Sequence, residues 1–186
     1  MPGRLSVEHM DQLEEWISAG PKQFHLLYSI TRDGLGQFHR ICDNRGPTVT
    51  VVYNTQGSVY GGYTSLAWLS SDGQFKRDDH AFLFQLVFSY ERRFRKFHNN
   101  KTVNSVHHNR NTGPIFGSGP DLCLFTKNGD PVNGVYVLNN AGGCMKPSDS
   151  FVYDGVEAAD INNGTMNAVE IEVYSVSGTS TLLVYK

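Results

Sequence analysis

The chain has 186 residues, 39% of them hydrophobic, with 19 Gly and a formal net charge of −2. That length suits one domain with modest appendages, and a chain of this size buries about 70% of the surface its unfolded form exposes, so it needs no disulfide or metal staple. The near-neutral charge argues against a general nucleic-acid binder or a membrane-surface protein, and no apolar run approaches the roughly 20 residues of a membrane span.

Ser6 to Ala19 reads as an amphipathic helix, with Val7, Met10, Leu13 and Ile17 at three- and four-residue spacings. Ser6 is its expected N-cap, Glu8 suits the positive helix start, and Gly20-Pro21 ends it. Phe24 to Ile30 reads as a strand and Gly34 to Cys42 as a short helix with Phe38 and Ile41 inward. Gly46-Pro47 forces a corner into Thr48–Tyr53, which pairs through Gln56-Gly57 with Ser58–Thr64 as an antiparallel hairpin. Gly61-Gly62 inside that second strand signals a bulge or a close approach of other atoms. Ala81 to Phe88 is a continuous apolar run of strand length. Later strands are expected at Val103–His107, Asp121–Thr126, Val135–Leu138 and Ala168–Val176, with a last one at Thr181–Tyr185. Asn128-Gly129, Asn133-Gly134 and Asn163-Gly164 supply turns, because Asn and Gly tolerate positive φ. Gly113, Gly117 and Gly119 around Phe116 predict a tight loop pinned by one buried ring. Many short strands with turns between them indicate a sandwich rather than a parallel sheet.

Cys42, Cys123 and Cys144 are an odd number with no C-x-x-C spacing, which suggests neither a disulfide framework nor a zinc ribbon. With no basic segment followed by an apolar run at the N-terminus, a reduced cytoplasmic setting is expected. The sequons Asn100-Lys101-Thr102 and Asn163-Gly164-Thr165 carry little weight in that setting.

Several residue groups could carry chemistry. His98, His107 and His108 with Cys123 fit no standard metal-ligand spacing, and adjacent histidines in a strand point to opposite faces. Cys42 or Cys123 could serve as redox thiols if exposed, with His39 or His107 as a base. Asp78-Asp79 read as a capping pair at an element boundary, and Glu170 and Glu172 as the solvent face of a half-buried strand. Arg92, Arg93, Arg95 and Lys96, with Lys101 close behind, form the one concentration of positive charge, interleaved with Phe94 and Phe97. It reads as a solvated loop, and as the candidate patch for an acidic protein partner. Nothing in the sequence calls for a cofactor.

Six blocks occur together in a fixed order: Leu26–Gly34, Phe38–Tyr53, Gly61–Ser65, Ala81–Leu86, Gly113–Leu124 and Glu170–Val176. In that order they resemble the TLDc domain, the module of oxidation resistance proteins, nuclear receptor coactivator 7 and the interferon-induced protein 44 family. The helix leading directly into Leu26-Leu27-Tyr28 looks most like the last branch. The resemblance implies an α+β, mostly β fold: a two-sheet antiparallel sandwich with two helices. It divides the chain into a helix over 1–23 packed on a domain over 24–186, with the core match at 24–176 and an extra strand at 179–186. It also implies a non-catalytic module that binds and regulates the vacuolar proton pump (V-ATPase) in oxidative-stress or innate-immune responses. The alternatives are recognition of a microbial glycan or lipid, or a thiol-based antioxidant role for Cys42 or Cys123. Two features depart from the pattern. The chain has no G-x-x-x-x-G-K-[ST] loop of the GTPase-like domain that commonly follows in the interferon-induced branch, and Pro120 stands where many members have His.

Overall fold

The computed structural model of the chain describes residues 3–126 and 129–178. The expected Thr181–Tyr185 strand, the extension over 179–186 and Asn128 of the first Asn-Gly turn lie outside these residues. In chain order the elements are α1 (Val7–Ile17), β1 (Lys22–Ser29), α2 (Ile30–Asp33), a 3-10 turn (Leu35–Gln37), α3 (Phe38–Cys42), β2 (Thr48–Asn54) and β3 (Val59–Thr64). They continue with β4 (Asp72–Lys76), β5 (Phe82–Phe88), β6 (Glu91–His98), β7 (Val106–Asn109), β8 (Ile115–Phe116), β9 (Leu122–Cys123), β10 (Tyr136–Val137), β11 (Cys144–Met145), α4 (Ala158–Asn162) and β12 (Asn167–Gly178).

The strands form two antiparallel sheets. One has seven strands in the order β1-β12-β2-β3-β5-β6, with β10 beside β12; the other has five in the order β11-β9-β8-β7-β4. The expected mostly-β, two-sheet fold is what the chain adopts. The helices differ in detail: the second expected helix is split into a 3-10 turn and α3, and α2 and α4 are single short turns.

The seven-stranded sheet is covered on both sides, which explains its unbroken apolar runs. Val49, Val51, Tyr53, Phe82, Phe84, Leu86, Tyr174 and Val176 face a cluster that includes Leu13, Met10, Trp16 and Ile17 of α1. Their sequence neighbours Val52, Leu83, Ile171 and Val173 face the five-stranded sheet and join Val106, Phe116 and Leu122. A strand whose alternate side chains both find apolar partners loses the polar/apolar alternation of a half-exposed strand. Helix α1 starts at Ser6, whose side chain accepts from the His9 amide, and the Lys22 amide donates to Glu14 at 2.6 Å across the turn that follows. Its buried stripe runs through Leu13, whereas Val7, expected inward, is 74% exposed at the helix start.

The β2–β3 hairpin pairs Thr48 with Thr64 and Tyr53 with Val59, as its sequence predicts. Gly62 makes room for the opposite sheet: a Cβ there would lie 2.7 Å from the Phe116 ring. Phe116 itself, flanked by Gly113, Gly117 and Gly119, is fully buried and sits on the short strand β8 rather than in a loop. The expected strand at Val103 begins only at Val106, and Val103 is exposed.

Candidate functional site

Each group that could carry chemistry has a definite place in this frame. The basic run is not a loop. Arg92, Arg93, Arg95 and Lys96 lie on β6, the outermost strand of the seven-stranded sheet, while Lys101 stands in the segment beyond it. The β5 apolar run turns back at Ser89-Tyr90, both at positive φ, so the charged segment returns as the paired edge of the same sheet. Sequence composition hid this strand, because Arg and Lys are ordinary at an edge, where a long side chain reaches solvent from either face.

The cations of β6 divide by what they touch. Arg92 reaches Glu8 of α1 at 2.7 Å, an ion pair between two exposed groups. Lys96 donates to the Trp16 carbonyl at 2.7 Å and lies 4.5 Å from the centre of the Phe82 ring, and burial holds its ammonium below the usual lysine value. Phe94 packs edge-on against Trp16, so Arg92, Phe94 and Lys96 together clasp α1. Arg93 lies over the Phe88 ring at 4.8 Å. Arg95 shares the other face with the buried Phe97, and its buried Nη1 has no hydrogen-bond partner among the described residues. Arg93, Arg95 and Lys96 therefore carry charge without a carboxylate within ion-pairing distance among the described residues. Lys101 belongs to a different neighbourhood. The Arg77 guanidinium bonded to Asp79 holds that carboxyl below its ordinary range, and Lys101 contributes to the same effect.

The thiols are placed for packing. Cys42 is fully buried in the core, and burial pushes its thiol well above the usual value. His39, its candidate base, is committed elsewhere. Nδ1 meets Asp43 at 2.7 Å, and Nε2 lies 2.8 Å from the carbonyl oxygens of both Asn109 and Thr112. That geometry pins α3 to the end of β7 and the loop that follows it rather than activating the thiol. Cys123 is 1% exposed and is pushed up to about 12 by burial. Cys144, directly across the strand pair from Cys123, is only half-buried. Sequence reasoning passed over it as a candidate, since nothing near Cys144 in the chain foretells the pairing.

His107 and His108 do point to opposite faces. His107 lies on Phe75 with ring centres 4.4 Å apart, and His108 is buried 5.6 Å from Trp68. No group of three or more His, Cys, Asp or Glu side chains among the described residues could hold a metal ion.

Both carboxylate pairs depart from expectation. Glu170 and Glu172, expected in solvent, are each 3% exposed. They sit on the α1 side of β12, where the segment before α1, the end of β1 and α2 fold over them. Glu170 accepts from Ser29 Oγ and from the amide and hydroxyl of Thr31. Glu172 accepts from the Arg4 amide at 3.0 Å and from the Tyr174 hydroxyl at 2.5 Å. Asp78 is not a helix cap but a buried acceptor. Thr64 Oγ1, the Ser65 amide and Ser65 Oγ each donate to it at 2.7 Å, and the His80 amide at 3.1 Å. It fixes the crossing from β3 to the strands that follow. Asp79, by contrast, is exposed and pairs with Arg77 at 2.7 Å.

Comparison with known proteins gives two findings. The TLDc domain family matches residues 5–177, helix α1 included. A stretch of 53 residues, 28% of this chain, is 45% identical to the MTOR-associated protein MEAK7 of Danio rerio. That stretch spans 11% of the relative's length.

Proposed function

The chain belongs to the TLDc family, and from that premise we propose that it is a non-catalytic interaction module that binds the V-ATPase and regulates its assembly or activity. The observation that carries the reading is the allocation of charged and nucleophilic groups. Cys42, Cys123, Asp78, Glu170 and Glu172 are buried and serve packing or hydrogen bonding within the fold. The basic strand β6 instead presents the exposed Arg93, beside the half-buried Arg95, and neither has an anionic partner among the described residues. An edge strand bearing unneutralised guanidinium groups suits an acidic protein surface, to which Arg can offer bidentate bonds. The Danio rerio relative is itself named for an association with MTOR, in keeping with a module that works through partners. As a regulator the domain must hold one conformation or assembly state of the pump more tightly than another, since equal affinity for both would shift nothing. Its place of action would be the cytoplasm, in oxidative-stress or innate-immune responses.

The test is functional. Purified chain added to sealed vesicles carrying V-ATPase should change ATP-driven acidification in a saturable way. Acidification unaltered at saturating chain would sink the regulatory reading.

A further inference from the structure

Strand β6 has a second property besides charge: no strand of the described residues pairs with its outer backbone edge, and the chain shows how that edge is used. At the far end of β6 the segment Ser150–Val152 lies alongside it as a short antiparallel addition. The Asn100 amide donates to the Ser150 carbonyl at 3.0 Å, the Val152 amide donates to the His98 carbonyl at 2.9 Å, and Asn99 bridges to Phe151. Backbone groups alternate sides along a strand. Because the His98 carbonyl points outward, the amide and carbonyl of Lys96 point outward too, and no strand of the described residues covers them. The chain's own addition stops at His98, and among the described residues no strand pairs with the outer side of Arg92–Phe97, where a register shift between Arg92 and Arg95 interrupts the regular alternation.

We propose that this stretch takes up an extended acidic segment of a partner protein as a further strand, continuing the addition that Ser150–Val152 begins. The occupant follows from the charge. Four cations within five positions repel a second copy of the same edge, which is the ordinary protection of an edge strand. The same cations favour a strand whose alternate side chains are carboxylates. Backbone bonds to the outward groups would give affinity, and Arg93 and Arg95 would select for Asp or Glu. The proposal deepens the reading of β6 as the partner-binding element and adds the backbone pairing that charge alone does not require.

The full chain is mixed with a synthetic peptide alternating glutamate and valine, matched to the eight residues of β6. Binding is followed by titration, and amide hydrogen exchange is mapped by residue. The amides at the outer edge of β6 should slow by about tenfold or more when the peptide binds, because each gains a hydrogen bond that must break before exchange. The same peptide N-methylated at alternate residues keeps its charge and loses its donors, and its affinity should fall by about tenfold. Arg93→Ala should weaken the unmodified peptide without changing the fold. Equal binding of the N-methylated peptide would reduce the site to a charged patch and overturn the proposal. So would the absence of slowed exchange in β6 at millimolar peptide. Because the peptide test does not use the pump, its failure would leave the V-ATPase reading standing, and loss of pump regulation would leave a positive peptide result intact.

Discussion

Phe116 stands over Gly62, so close that a Cβ added to the glycine would lie 2.7 Å from two atoms of the ring and 2.9 Å from Leu83. One sheet contributes a bare backbone position and the other the ring that fills it, and this contact sets how near the two sheets come. Gly62→Ala should therefore act as overpacking between rigid sheets and lower stability by about 1–3 kcal/mol. Urea unfolding checks it, with the midpoint lowered and the slope unchanged.

Asp78 collects four donors from three residues at the β3 exit. Asp78→Ala leaves the buried Thr64 hydroxyl and the part-buried Ser65 groups without their acceptor, a loss of about 2–4 kcal/mol by the cost of stranded donors. Asp78→Asn keeps one acceptor oxygen and should cost about half as much by the same argument. Thermal unfolding of the two variants would distinguish this hub from a dispensable surface pair, in which case both would melt like the parent chain.

Burial holds His9, His107 and His108 below the ordinary histidine value. In the unfolded chain these groups take up protons near pH 6.5, while in the fold they do so only at lower pH. Below about pH 6.5 the unfolded state thus binds more protons, so stability is full above that pH and declines as the pH falls through the folded values. His108, beside Trp68 and 2% exposed, should contribute most clearly. His108→Phe should flatten the decline by at most about 1.4 kcal/mol per pH unit, one proton's worth of slope. Denaturant midpoints between pH 5 and pH 7.5 would show it, and an unchanged slope would remove His108 from the account.

The fold was legible where one local signal decided the outcome. Ser6 marks the start of α1, the Thr48–Thr64 hairpin follows its β-branched residues and turn, and Gly61-Gly62 does mark a close approach. What sequence misplaced was burial set by distant parts of the chain. Glu170 and Glu172 alternate like a solvent face, yet Ser29, Thr31 and Arg4, some 140 to 170 residues away, close over them. Asp78 looks like a cap until Ser65 and Thr64 are folded against it. The candidate site was legible as charge, because the cations are contiguous in the chain. It was not legible as an edge strand, since only the sheet order makes β6 outermost.

The three thiols should separate by accessibility. Cys42 and Cys123 are at most 1% exposed, and Cys144 is half-buried. Alkylation of the native chain should label Cys144 first and leave the other two unmodified until unfolding, as peptide mapping would reveal. Rapid labelling of Cys42 in the native state would revive the thiol-based antioxidant reading that its burial disfavours.

The most direct measurement is capture of V-ATPase from lysate on the immobilised chain, with a charge-reversed variant in parallel. In that variant Arg92, Arg93 and Arg95 are each replaced by Glu, and circular dichroism verifies that it folds. The account predicts stoichiometric recovery of pump subunits on the parent chain and their loss on the folded variant. No pump subunits on a well-folded parent chain would contradict it and favour recognition of a glycan or lipid instead.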